Sequence, residues 1–243
     1  TVVAILQARM GSTRLPGKVL KEILGRSIVG LIAERLAPSR RMDQLVVAMP
    51  DHPRDDALEA HCSAAGLACF RGSEEDLLDR YYQAARQHRA DLVVRLTADN
   101  PLVEHEVLDF MIQDFLEAVP RYDYSGPADG SAWPLGVAAE VFTFEALERA
   151  WREDRDPAWR EHATPYIYGH PELFRIRWVP CPRDATGVRL TVDTPEDLEL
   201  VRRVFEHVGR PVFPWTEALD VLEAHPEWRE LNRDVRQKTV PGL

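Results

Sequence analysis

Three cationic side chains, Arg9, Arg14 and Lys18, fall within ten residues, spaced by Gly11, Ser12, Thr13 and Gly17. Arginine and lysine supply the charge that a nucleoside triphosphate needs neutralised. Glycine lets the backbone approach a ligand closely, and successive turn N–H groups cradle phosphate oxygens. A solvated basic loop is the plainer reading of the same composition. Position decides against it. The stretch follows an apolar run, residues 2–6, that reads as a strand buried on both faces. A loop leaving the C-terminal end of the first strand of an α/β sheet is where such folds bind ligands.

The spacing excludes the commoner phosphate motifs. Gly11 and Gly17 have five residues between them and Val19 follows Lys18, so this is not a Walker A loop. The dinucleotide Gly-x-Gly-x-x-Gly fingerprint is absent, as are a His-Glu-x-x-His zinc site and a Gly-x-Ser-x-Gly nucleophile elbow.

Two further turns share one grammar, Asp99-Asn100-Pro101 and Asp193-Thr194-Pro195. Proline suits the first helical position and the residue before it suits the N-cap, so Asn100 and Thr194 are expected to cap. Thr194 with Asp197 approximates a capping box. Asp99 and Asp193 are then left at strand ends with free carboxylates. A pair of carboxylates beside a phosphate site is what magnesium takes from a protein, with phosphate oxygens and water completing its shell.

The elements that must position these groups alternate. Strands are predicted at residues 2–6, 45–49, 67–70 and 92–96. Between them lie amphipathic helices: one capped by Ser27, one with Leu58 and Cys62 inward, and one carrying Leu77, Leu78, Tyr81, Tyr82 and Ala85. Ser73 and Asp76 have capping-box spacing ahead of the third helix. This alternation predicts a parallel, doubly wound α/β sheet. Residues 119–132 read as loop. Residues 121–182 read as an inserted excursion from the sheet, with strands near 137–144 and 174–179 and a helix at 144–151. The excursion carries Trp133, Trp151, Trp159 and Trp178, as core, pocket cover or dimer surface. Residues 188–192 are expected to return to the sheet ahead of a helix at 195–208, and the last 30 residues form a helix-containing tail.

The chain of 243 residues has room for one large domain, and one domain over 1–243 is the expectation. A net charge of −10 argues against a general binder of nucleic acid or anionic membrane, and makes the cationic loop a local exception. Cys62, Cys69 and Cys181 lack Cys-x-x-Cys pairing and read as thiols of a reducing compartment. No segment has the roughly 18 apolar residues of a membrane span, and no signal peptide is seen before the first strand. A cytoplasmic protein is expected.

The opening stretch, residues 95–102, residues 160–166 and residues 190–198 together resemble the sugar-acid cytidylyltransferases. The nearest branch is the spore coat polysaccharide biosynthesis protein F group, related to the acylneuraminate and 3-deoxy-manno-octulosonate enzymes. The resemblance covers nearly the whole chain. It implies a Rossmann-like nucleotide-diphospho-sugar transferase fold, a homodimer, and transfer of CMP from CTP to a hydroxyl of a sugar or sugar acid, releasing pyrophosphate. It also implies roles. Arg9, Ser12, Arg14 and Lys18 would hold the triphosphate, with Gly11 in the same loop. Leu6, Gln7 and Ala8 would run beside the nucleoside, and Arg71, Ser73 and Arg80 would flank the base. Asp99 and Asp193 would bind Mg2+, and Gly136, Glu140, Arg160 and His162 would face the acceptor.

The chain departs from that family at Ala98, where relatives carry glycine, and at Leu135 and Ala138, which replace a cation and an anion. A glycosyltransferase on the same fold and a non-catalytic nucleotide-binding homologue are the alternatives. The first usually needs an Asp-x-Asp metal motif after a strand, which neither Asp91 nor Asp129-Gly130 supplies.

Overall fold

The computed structural model describes residues 1–127 and 132–237. Gly130 and Ser131 of the expected loop, Asp129, and Pro241 of the tail lie outside the described residues. In chain order the elements are β1 (Val2–Gln7), β2 (Glu22–Ile23), β3 (Arg26–Ser27), α1 (Ile28–Leu36), β4 (Gln44–Pro50), α2 (Asp56–Ala64) and β5 (Ala68–Gly72). Next come α3 (Leu77–Gln87), β6 (Leu92–Thr97), α4 (His105–Glu117), β7 (Tyr124–Pro127), β8 (Glu140–Thr143), α5 (Phe144–Glu153) and α6 (Pro157–Arg160). The chain closes with α7 (Pro165–Gly169), β9 (Ile176–Val179), α8 (Pro195–Val208) and α9 (Trp215–Ala224).

Seven strands form one mostly parallel sheet in the order β5-β4-β1-β6-β8-β7-β9, while β2 and β3 make a separate ribbon. Strand β1 sits between β4 and β6, parallel to both. Its side chains alternate between two cores. Ala4 and Leu6 join residues of α1, α2, α4, α8 and α9, whereas Val3 and Ile5 join those of α3 and α5. This is the doubly wound α/β architecture that the alternation predicts. The chain runs outward from β1 to β4 and β5, then returns to β6 on the other side, so the winding reverses between β1 and β6. A crevice opens at such a reversal, outside the carboxyl ends of the strands.

The structure departs from these expectations in several places. The segment read as loop holds β7, because Tyr124 is buried and pairs with both β8 and β9. The strands of residues 121–182 thus complete the main sheet. Residues 188–192 are not a sheet strand. They run past the carboxyl end of β6, with Leu190 N bonded to the Leu135 carbonyl and Val192 N to the Asp99 carbonyl at 2.7 Å. Asn100 caps no helix: α4 starts at His105 with Glu104 as its cap. Leu102 and Val103 must first be buried, and their carbonyls accept from the Arg35 guanidinium. The Ser73–Asp76 spacing resolves into two successive caps. The Ser73 hydroxyl accepts from Asp76 N, and Asp76 itself caps α3. Ser27 and the Thr194–Asp197 capping box behave as expected.

The tryptophans divide. Trp133 is buried against Trp215, Trp151 stacks on Tyr82, and Trp178 is 46 % exposed. The three cysteines are free, and among the described residues no helix is long and apolar enough to cross a membrane.

Candidate functional site

The loop after β1 is held in shape by its own apolar residues and by one buried acid. Leu15 and Val19 are buried in the larger core, so the cationic residues between and around them face outward. Asp55 is fully buried and takes Met10 N on Oδ1 at 2.7 Å. The Met10 carbonyl accepts from Ser12 N and Gly17 N, closing the loop on itself. Gly17 has φ +66°, the left-handed backbone that lets the chain turn into Lys18. The Ser12 hydroxyl lies inside the loop, 3.3 Å from Leu15 N.

A cleft of about 200 Å³ lies over the crevice between β1 and β6. Gln7, Ala8, Arg9, Ser12, Arg14, Lys18, Arg80, Asp99, His162 and Asp193, all singled out from the sequence, line it together. Thr13, Val19, Glu74, Leu77, Thr97, Ala98 and Glu161 complete the lining. Two distant chain segments converge on the Lys18 ammonium. Lys18 Nζ lies 3.3 Å from Asp99 Oδ2, 2.9 Å from Asp193 Oδ1 and 2.9 Å from the Val192 carbonyl. Asp193 Oδ2 also meets Arg14 at 3.0 Å and Arg189 at 2.8 Å. Burial pushes the Asp193 carboxyl up, but Lys18, Arg189 and Arg14 outweigh it and hold the acid below its usual range. Asp193 is therefore an anion at neutral pH, with no free oxygen of the kind the turn grammar suggests.

Arg80 differs from the other cations. It is 4 % exposed, and its Nε and one terminal nitrogen reach no hydrogen-bond partner. Burial lowers its pKa to about 10, so it stays charged at neutral pH. Burial likewise lowers the His162 imidazole. Glu161 opposes this and Arg95 and Arg9 add to it, leaving a neutral ring at pH 7.

The remaining sequence candidates lie outside the cleft lining. Leu6 is fully buried in the core below the loop, and Gly11 packs against the Arg54 guanidinium. Arg71 is spent on Asp51, Asp56, Glu59 and the His52 carbonyl. Ser73 serves the turn before α3. Glu140 pairs with Arg95 at 2.6 Å across the β6–β8 ladder. Arg160 binds Asp76 and the Trp151 and Asp154 carbonyls. Gly136 has φ +102°, and a Cβ there would lie 2.6 Å from Thr191 N. Ala98 is buried in the cleft wall and is not among the residues with positive φ, so its methyl meets no need for glycine.

The main omission from the sequence reading is Arg189. Its signal was a lone cation four residues before Asp193, in a run otherwise read as a buried strand. Asp197, read only as a cap, also accepts the Arg189 guanidinium and the Asn232 amide.

Comparisons with known proteins find relatives over nearly the whole chain. A family model described as Cytidylyltransferase matches residues 3–228. The spore coat polysaccharide biosynthesis protein SpsF of Bacillus subtilis is 37% identical over 234 residues, covering 93% of this chain and 95% of that protein. The structure of a cytidylyltransferase from Leptospira borgpetersenii superposes with TM-score 0.89 at 33% identity, over 98% of this chain and 99% of that one. CMP:2-keto-3-deoxy-manno-octonic acid synthetase, solved with CTP, shares the fold with TM-score 0.64 at 19% identity, over 85% of this chain and 99% of that one.

Proposed function

This chain belongs to the cytidylyltransferase family, and on that premise we propose that it transfers CMP from CTP to a hydroxyl of a sugar acid, releasing pyrophosphate. The relative SpsF supports a place in surface polysaccharide synthesis, and the 3-deoxy-manno-octulosonate cytidylyltransferases support a sugar acid as acceptor. The single observation that carries the reading is Lys18 bridging Asp99 and Asp193 in the cleft beside the unpartnered Arg80.

In the proposed reaction, the acceptor oxygen bonds to the α-phosphorus as the bond from that phosphorus to the α,β-bridging oxygen breaks. The leaving pyrophosphate takes the electron pair, and the hydroxyl proton goes to solvent. Lys18, Arg14 and Arg9 would neutralise the charge that grows on pyrophosphate. On arrival of the triphosphate, Lys18 and Arg14 exchange carboxylate oxygens for phosphate oxygens, a trade between ligands of like charge. Arg80 would approach the nucleotide from the β5–α3 side, and His162 from the acceptor side.

Asp99 and Asp193 fit a magnesium ion. Both are hard oxygen donors, and they already share a single cation in Lys18. Among the described residues no group of three or more His, Cys, Asp or Glu side chains could hold a metal alone, so phosphate oxygens and water would fill its shell. When bound, the ion would neutralise the α-phosphate and acidify the attacking hydroxyl. A homodimer in the cytoplasm completes the reading. The exposed Leu116, Val119 and Trp178 support the first part, and three free thiols support the second.

Purified protein with CTP, magnesium and a panel of sugar acids should release pyrophosphate with at least one acceptor. Asp99→Asn and Asp193→Asn should each lower that rate by about a hundredfold or more. Undiminished turnover in both variants would remove the metal assignment.

A further inference from the structure

The C-terminal segment reaches back onto the side chains that hold Asp193. Asn232, 6 % exposed, donates through Nδ2 to Asp197 Oδ1 at 2.9 Å and to the Arg189 carbonyl at 3.3 Å. Asp197 is fully buried and takes the Arg189 guanidinium on both oxygens, at 2.8 and 3.0 Å. It also takes Asp193 N at 2.9 Å. Arg189 in turn meets the Asp193 carboxylate at 2.8 Å. Two more ties follow along the segment. Gln237 accepts from Arg189 at 2.7 Å, and the Arg236 carbonyl accepts from Arg14 at 3.1 Å.

An unbroken polar chain thus runs from Asn232 through Asp197 and Arg189 to Asp193. Asn232 is neutral, so it adds no charge to the site; what it fixes is direction. Side chains that orient a ligating carboxylate in this way govern how well it binds a cation. We propose that Asn232 and the strap of residues 232–237 are positioning elements of the transfer site, aiming the Asp193 carboxylate and the Arg14 guanidinium into the cleft. This rests on the reading of Asp193 as a metal ligand.

Manganese titrated into the full chain at saturating CTP, followed by electron paramagnetic resonance, tests it. Asn232→Leu should weaken Mn2+ binding about tenfold while CTP affinity in EDTA stays within about twofold. Asn232→Asp keeps the shape but sets an anion against Asp197, and should do the same. Ending the chain after Asp234 removes the Arg236 and Gln237 ties without touching the core, and should weaken Mn2+ about threefold. That shortened chain decides the matter if Asn232→Leu does not fold. Unchanged Mn2+ affinity in these variants overturns the proposal. So does a parallel loss of CTP affinity in EDTA, which assigns the segment to general stability. Asp193→Asn separates the two levels. If Mn2+ binding survives that change, the metal reading itself fails. If it is lost there alone, only the positioning role falls.

Discussion

Burial of Arg80 beside the cleft carries a desolvation cost that the folded chain leaves without a hydrogen bond at two of its nitrogens. A buried cation in that state is destabilising relative to an apolar side chain of similar length. Its retention therefore points to a ligand that supplies the missing acceptors. Arg80→Met is expected to leave stability to urea unchanged or higher by up to about 2 kcal/mol. The same variant should bind CTP about tenfold more weakly, the worth of a charge-assisted hydrogen bond. Lower stability with unchanged CTP binding would make Arg80 structural. At this scale the sequence was informative for the cations and the two aspartates of the cleft, and silent on Glu74, Thr97 and Glu161, which also line it. Arg9, Arg14, Lys18, Asp99 and Asp193 stand next to glycine, proline or a strand end, and such neighbours announce exposed chemistry. Arg71, Glu140 and Arg160 stand in equally suggestive places, yet each meets a protein partner that no spacing rule reveals.

Among the elements, the segment between β9 and α8 decides the geometry of the site. It runs beside residue 135 past the carboxyl end of β6, and Thr191 and Val192 pin the Asp99 carbonyl. Gly136 makes this approach possible, since a Cβ there would press on the Thr191 backbone. Gly136→Ala is expected to cost about 3 kcal/mol, from the close contact and the left-handed backbone together. Urea unfolding measures it, and a loss below about 0.5 kcal/mol, the range of an innocuous surface change, would contradict the packing argument. Helix α8 was legible to the residue because Thr194, Pro195 and Asp197 encode its start locally. The start of α4 was not. The pull of Leu102 and Val103 into the core, with Arg35 on their carbonyls, is a tertiary effect that overrides the proline signal. Tyr124 likewise turned an apparent loop into β7.

For the molecule as a whole, alternating strands and helices made the class of fold readable, but not the strand order. The register that sets β8 antiparallel beside β6 depends on partners far apart in sequence. That order matters because it brings the loop after β1, the turn after β6 and the segment before α8 to one crevice. It also explains how a chain of net charge −10 gathers four cations, Arg9, Arg14, Lys18 and Arg80, in one crevice. In the reaction we propose, Lys18 serves the triphosphate, not the nucleoside. Calorimetric titration of CTP and of CMP, with magnesium, into the native protein and Lys18→Met tests it most directly. CTP affinity should fall by about tenfold or more, as for loss of a charge-assisted phosphate contact, while CMP affinity stays within about twofold. Equal losses for CTP and CMP, or no loss for either, would remove Lys18 from the triphosphate site.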